Sequence, residues 1–339
     1  MLRFAAVGID HGHIFEHVNG LLAEGAEFAG YCPQTSVPAL MDQFRKTYPD
    51  AKPLDRDAIF ADESIDVICT AAIPRDRAGI AITAMQAGKD VMVDKPGVTT
   101  FGQLEEVKRA VERTGRIFSV CFSERHCVPS AVMAGKLVAD GAIGRVVQTV
   151  GLGPHRKAPS TRPDWFFEFD AFGGIINDIA SHQIDQFLFY TGSRTAEVVA
   201  SSVANFATPQ SAGFEDFGEV LLRSDKASGY IRVDWFTPDG LPTWGDGRLT
   251  ILGTEGYIEL RKYIDIAGRE GKDHLFLADR SGVRYMDCSR EPLVYFAAFA
   301  RDVRDRTETA MSQQHVFEVC RLALEAQVKA AVIASKPQG

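Results

Sequence analysis

Short apolar runs alternate with helical segments through roughly the first 120 residues, and this rhythm constrains the fold more than any other feature of the chain. The runs lie at 2–7, 27–32, 65–71, 89–94 and 116–122. Helical periodicity lies between them, clearest up to Leu22 and over 77–87 and 101–114. Strands alternating with helices of this length specify a doubly wound parallel sheet.

The rhythm then changes. A helix over 128–140 and an apolar run over 145–151 lead into a loop rich in Pro and Arg. From Thr195 onward strand signals follow one another without helices between them, at 197–204, 215–222, 228–236, 248–252 and 256–260. The alternation Tyr230-Ile231-Arg232-Val233-Asp234-Trp235 suggests a sheet with one covered face. Helices over 292–304 and 314–334 close the chain. The expected architecture is α/β followed by α+β: a Rossmann-type doubly wound parallel sheet over 1–122, then a domain over 123–339 with a large, mostly antiparallel open sheet.

A chain of 339 residues has room for two such bodies. A net charge of −8 without a basic stripe argues against nucleic acid as a partner. No apolar run reaches the ~20 residues a membrane helix needs. The N-terminus enters a strand at once and lacks the parts of a secretory signal, so a cytoplasmic location is expected. Six scattered cysteines without a CxxC pair then read as reduced, mostly buried thiols.

Doubly wound sheets hold their ligand at the carboxyl ends of the strands. After the first strand the chain reads Gly8-Ile9-Asp10-His11-Gly12-His13-Ile14. The G-x-G-x-x-G spacing starts at Gly8, but Asp10 and His13 stand where the later glycines belong, so the phosphate-binding fingerprint is incomplete. An Asp here puts a carboxylate near a pyrophosphate unless its side chain caps the helix. The end of the second strand should carry an acid for the adenine ribose; it reads Gln34-Thr35-Ser36, which leaves NAD versus NADP open. Asp94-Lys95-Pro96 ends the strand over 89–94 and places Lys95 at the ligand crevice, where its charge suits a developing alkoxide. The plainer alternative is a surface lysine starting a loop.

The richest stretch follows Gly173-Gly174. Asp178, His182 and Asp185 stand at i, i+4 and i+7, so one face of a helix carries all three, bordered by Ile175, Ile176, Ile179, Ile184 and Leu188. Such a stripe suits a cleft better than a solvated face; the bland alternative is a satisfied buried polar cluster. Asp178 and His182 also match a metal pair, with His155 or Asp185 as further ligands, but no third ligand is evident and no metal is expected.

These motifs together resemble the glucose-fructose oxidoreductase/inositol dehydrogenase/rhizopine catabolism (Gfo/Idh/MocA) family. Its Glu-Lys-Pro corresponds to Asp94-Lys95-Pro96, its Gly-rich turn and Asp-x-x-x-His-x-x-Asp to Gly173-Gly174, Asp178, His182 and Asp185, and its crossover into the second domain to 122–129 with Arg125. The resemblance covers essentially the whole chain.

It implies NAD(P)-dependent oxidation of a secondary alcohol of a sugar, inositol or related polyol, or the reverse reduction. Lys95, Asp178 and His182 would form the catalytic set, with His182 as general base. The cofactor, NAD or NADP, would lie on Gly8, Asp10, His11, Gly12, His13, Ile14, Gln34, Ala72, Ile73, Arg77, Asp94 and Lys95. The substrate would meet Arg125, His155, Arg162, Trp165, Asp178 and His182. The family's Thr-Pro-Asn-x-x-His is replaced by Ala72-Ile73-Pro74-Arg75-Asp76-Arg77, a departure that bears on the cofactor. An open sheet with a covered outer face implies a homodimer or homotetramer. Two alternatives stand beside the dehydrogenase: a non-catalytic sugar or nucleotide sensor of the same fold, supported by Asp10 and His13, and an enzyme that keeps and recycles a tightly held NAD.

Overall fold

The computed structural model describes residues 1–333, which form two compact units. The first comprises Met1–Cys121, Pro163–Gly173 and Val294–Cys320; the second comprises Phe122–Arg162, Gly174–Leu293 and the described residues from Arg321. The first unit is therefore not one continuous stretch: two later segments return to it.

In the first unit β1 (Arg3–Ile9), α1 (Ile14–Ala23), β2 (Glu27–Tyr31), α2 (Pro38–Thr47), α3 (Arg56–Ala61), β3 (Val67–Ala71), α4 (Pro74–Gln86), β4 (Asp90–Asp94), α5 (Phe101–Thr114) and β5 (Phe118–Cys121) follow in turn. The strands lie parallel in the order β2-β1-β3-β4-β5. Every residue of β3, β4 and β5 is buried, as the middle of a sheet covered by helices on both faces requires. The order turns back between β1 and β3, and this switch point is where such sheets open a crevice. Two short helices, α2 and α3, fill the connection from β2 to β3. Pro38 opens α2, and Asp55 caps α3 by accepting from the Asp57 and Ala58 N–H groups.

The second unit opens with α6 (Ser123–His126), α7 (Pro129–Ala139) and β6 (Val146–Pro154). The chain passes through the first unit's single turn α8 (Phe169–Phe172), then through a π-helical turn, Ile176–Ala180, that runs into α9 (Ser181–Thr191). Next come β7 (Glu197–Ala204), β8 (Phe217–Arg223), β9 (Ser228–Asp234), β10 (Arg248–Gly253), β11 (Gly256–Arg261), β12 (His274–Asp279) and β13 (Gly282–Asp287). After α10 (Tyr295–Asp305) and α11 (Gln313–Lys329), β14 (Ala331–Val332) completes a nine-stranded sheet, β13-β12-β11-β10-β6-β9-β8-β7-β14. Most neighbours are antiparallel; β6 with β9 and β14 with β7 are parallel.

One face of this sheet is a core. Leu249, Ile251, Ile258, Leu260, Leu275 and Leu277 pack with Val128, Ala131 and Ala134 around α7. The opposite face of the sheet leaves Leu252 and Tyr257 of β10 and β11, and Val283 and Tyr285 of β13, exposed.

Three differences from the sequence reading stand out. The β12–β13 hairpin extends the sheet beyond the expected strands. The helix expected over 314–334 ends at Lys329, and Ala331–Val332 pairs with β7 instead; Ala334 lies outside the described residues. The helix expected to carry Asp178 and His182 begins as a π turn, and such turns recur at functional sites.

Candidate active site

At the carboxyl ends of β1, β2 and β3 the first unit holds a cleft of about 590 Å³. Gly8, Asp10, Gln34, Ala72 and Ile73 line it, joined by Cys32, Thr35, Ser36, Arg56 and Arg75. Gly8 has φ +78, and a Cβ there would stand 2.5 Å from the Ala72 Cβ, so no other residue fits. Gly12 is exposed, and a Cβ there would meet nothing within 4 Å, so the backbone on that side of the turn is open to an approaching ligand.

Asp10 does not cap α1. Its Oδ1 accepts from the Ser36 N–H at 2.6 Å and the Ser36 hydroxyl at 2.8 Å, tying the turn after β1 to the loop after β2. Thr35 Oγ1, 3.1 Å from the same oxygen, donates to the Ile9 carbonyl at 2.7 Å. Ile14 is a core residue at the start of α1. Arg56 reaches the cleft from α3, more than twenty residues beyond the end of β2, and the sequence reading missed it.

At the end of β4 a second group converges on Asp94, which is 1% exposed. Its Oδ1 takes His13 Nδ1 and the Lys95 N–H, each at 2.7 Å. Its Oδ2 takes Arg77 Nη2 at 2.9 Å and His11 Nδ1 at 3.2 Å. Arg77 also donates to the carbonyls of Ala72, Lys95 and Pro96, so one buried guanidinium pins the exit of β4 to the start of α4. The Lys95–Pro96 peptide is cis. Burial pushes the Asp94 carboxyl up, but Arg77, His13 and the two imidazole contacts outweigh it and hold it well below the carboxylate range. Burial also lowers both histidines; Asp94 reverses this for His13, which ends raised, while His11 stays lowered. His11, His13 and Asp94 have ligand-type atoms within 4.8 Å of one another. A cation there would have to contend with Arg77 on the same carboxylate.

In the second unit the π turn and α9 carry Asp178, half-buried, and His182, 2% exposed. A π turn holds more residues per turn than an α turn, so side chains four apart come closer to eclipse. Asp185 is bidentate with Arg125, at 2.6 and 2.8 Å, and the guanidinium lies 4.5 Å over the Phe189 ring. Beside them Glu124 takes Lys262 Nζ at 2.6 Å and Gln183 Nε2 at 3.0 Å, and Lys262 donates to Gln186 at 3.1 Å. Burial raises the Glu124 carboxyl, but Lys262, His182 and His155 bring it down to about 2.

His155 Nδ1 donates to the Gly153 carbonyl at 3.1 Å, and the ring packs against Trp244 and Trp235, with centroids at 4.5 and 5.4 Å. Arg162 lies 5.1 Å over Trp235 and donates to the carbonyls of Lys157 and Arg156, within electrostatic reach of Asp178. Trp165 is different: it is buried in the returning segment of the first unit. Asp178, His182, Arg125, His155 and Arg162 thus belong to one unit, and Trp165, Lys95 and the residues expected for the cofactor to the other.

Residues 11–122 match the oxidoreductase family with an NAD-binding Rossmann fold, and residues 132–259 match the GFO/IDH/MocA C-terminal domain. The chain belongs to the GFO/IDH/MocA oxidoreductase family. A crystal structure of a protein from Erwinia carotovora atroseptica is 46% identical, covers 98% of this chain and 100% of that one, and superposes with a TM-score of 0.95. Levoglucosan dehydrogenase of Pseudarthrobacter phenanthrenivorans is 31% identical over 48% of this chain, and the match spans only 43% of that enzyme's length. The scyllo-inositol 2-dehydrogenase (NADP(+)) IolW of Bacillus subtilis is 22% identical over 87% of this chain and 84% of its own. A levoglucosan dehydrogenase structure with NADH and levoglucosan shares the fold at 19% identity, covering 97% of this chain and 96% of that one, TM-score 0.80. Among the described residues no helix is long and apolar enough to cross a membrane.

Proposed function

We propose that this chain transfers hydride between NAD(P) and a secondary alcohol of a sugar, inositol or related polyol. The observation that carries the reading is the cleft at the switch point of the parallel sheet, with Lys95 following directly on the neighbouring strand end. A bound nicotinamide supplies the hydride acceptor or donor. Gly12 leaves the backbone of the turn after β1 open to the dinucleotide, and the cleft of about 590 Å³ beside it is the place for the nucleotide. His182 is the general base that takes the hydroxyl proton, a task suited to an imidazole held away from bulk water. Lys95 donates to the reacting oxygen and favours its alkoxide character. Asp178, one turn before His182, orients a substrate hydroxyl. Arg125 braces the helix through Asp185, while His155 and Arg162, set on aromatic rings, offer donors to a hydroxyl-rich substrate. The exposed apolar residues on the outer face of the large sheet support a homodimer or homotetramer.

The test starts with protein freed of nucleotide, titrated with NADH and NADPH by energy transfer from Trp, followed by a screen of sugars and inositols. Saturable binding and turnover are expected. His182→Ala should keep cofactor affinity and lower turnover by roughly 10²-fold or more, with Lys95→Ala similarly impaired. Unchanged turnover in either variant removes that residue's role; absence of any nucleotide binding would favour the sensor reading that Asp10 and His13 suggest.

A further inference from the structure

We propose that Asp10 sets the cofactor preference of this chain, filling the place of a 2′-phosphate so that the protein selects NADH over NADPH. The inference rests on the dinucleotide reading above and goes beyond it, since neither the family nor the sequence decides between the two cofactors.

Dinucleotide folds read the adenine ribose at the end of the second strand, with an acid for the NAD diol or a base for the 2′-phosphate of NADP. Nothing in Cys32-Pro33-Gln34-Thr35-Ser36 is acidic or basic. The fold supplies the missing charge from another strand. Asp10 leaves the turn after β1 and places its Oδ1 on the Ser36 N–H at 2.6 Å and the Ser36 hydroxyl at 2.8 Å. An N–H and an O–H converging on one anionic oxygen is the arrangement that holds a phosphate oxygen, and here a carboxylate of the chain already occupies it.

Two consequences follow for a ligand in the cleft that Asp10 and Ser36 both line. A ribose diol brings two O–H donors, which a carboxylate accepts. A 2′-phosphate brings only acceptors and close to two negative charges, and it meets both an occupied donor pair and a like charge. Arg56 and Arg75, both exposed on the wall of the same cleft, are the candidate counter-charges once Asp10 is neutralised, and Arg56 is the one the experiment removes.

The experiment is a binding titration of the full chain with NADH and with NADPH, separately, for the wild type, Asp10→Asn, Asp10→Gly and Asp10→Asn combined with Arg56→Ala. Asp10→Asn keeps an oxygen that accepts from Ser36, so the loop stays tied while the charge is lost; a thermal melt of each variant confirms the fold. The wild type should bind NADH at least about tenfold tighter than NADPH, a gap that one well-placed charge supplies. Asp10→Asn should close or invert that gap by strengthening NADPH, and Asp10→Gly should do so further by emptying the site. Adding Arg56→Ala should reduce the gain in NADPH, more than it changes NADH. A wild type that prefers NADPH overturns the inference, as does a NADH to NADPH ratio that Asp10→Asn leaves unchanged. Binding of neither nucleotide overturns the dinucleotide reading itself, a result distinguishable from both.

Discussion

Asp94 in the first unit and Glu124 in the second are both buried carboxylates, 1% and 2% exposed, yet their partners face different surroundings. Glu124 is neutralised by Lys262, whose side chain is wholly buried; Gln183 donates to the same carboxylate oxygen, and Gln186 accepts from Lys262. Asp94 shares its charge between the buried Arg77 and two imidazoles that are about a quarter to a third exposed. A sealed ion pair holds elements in place, and its removal is a matter of stability. Asp94 stays ionised, but two of its partners, His11 and His13, touch solvent and can change charge while the carboxylate does not. Burial of a carboxylate therefore says little on its own: the exposure of its partners separates a sealed brace from a group whose local charge follows the solution pH.

The sharpest way to break this contrast is Lys262→Ala. Leaving Glu124 buried without its cation should cost about 3–5 kcal/mol in urea unfolding. Replacing both partners with apolar residues, Lys262→Met with Glu124→Leu, should recover most of that loss. If the single change costs nothing, Glu124 is not a sealed brace.

Acid should separate the units next. Glu124 is held at about 2 against an ordinary 4.5, so the unfolded chain takes up its proton first as pH falls. Its contribution is present above about 4.5 and fades between there and about 2, on the order of 3 kcal/mol in all. His17 in α1 behaves differently: wholly buried, with both ring nitrogens lacking a partner, it is pushed by burial from 6.5 to about 4. Unfolding lets it protonate, so the first unit should lose stability from about pH 6.5 down to about 4, before the second unit does. The raised His13 offsets part of this, because its contribution is complete at low pH and is lost as pH rises. Hydrogen exchange followed from pH 7 to pH 3 should show protection falling first in α1 and β1; simultaneous loss in both units would refute the contrast.

The smallest effect expected is from His17→Leu. It removes two unsatisfied buried nitrogens and should raise stability at pH 5 by about 1 kcal/mol, flattening the decline between pH 6.5 and 4. A thermal melt at pH 5 and at pH 8 measures both parts.

Much of the fold was legible because apolar runs such as 67–71 and 90–94 leave few alternatives to a covered parallel strand. The β12–β13 hairpin was not, although Leu275 and Leu277 alternate with polar or outward residues. A charged stretch precedes it, and every residue of β13 but Met286 is exposed, so one of its two strands has no inward pattern to read. The π turn was hidden for a different reason: the spacing from Asp178 to His182 fits either helix type, and only the backbone register distinguishes them. Within the candidate site, residue types at the strand ends were readable, but their pairings were not. His13 meets Asp94 across 81 positions and Asp10 meets Ser36 across 26, distances that only the strand order closes. Arg56 gave no signal, because its place in the cleft depends on how α3 packs.

Gly8 has a consequence for how sequences of this kind are interpreted. Its lack of a side chain is demanded by Ala72 and Thr70 at the end of the adjacent strand, 2.5 and 3.0 Å from where a Cβ would stand. The constraint therefore comes from the sheet's own closure and would outlive the loss of any nucleotide. In a descendant that had abandoned its cofactor this glycine would persist, so its presence diagnoses a tightly closed pair of strands and leaves the ligand to be established from other positions.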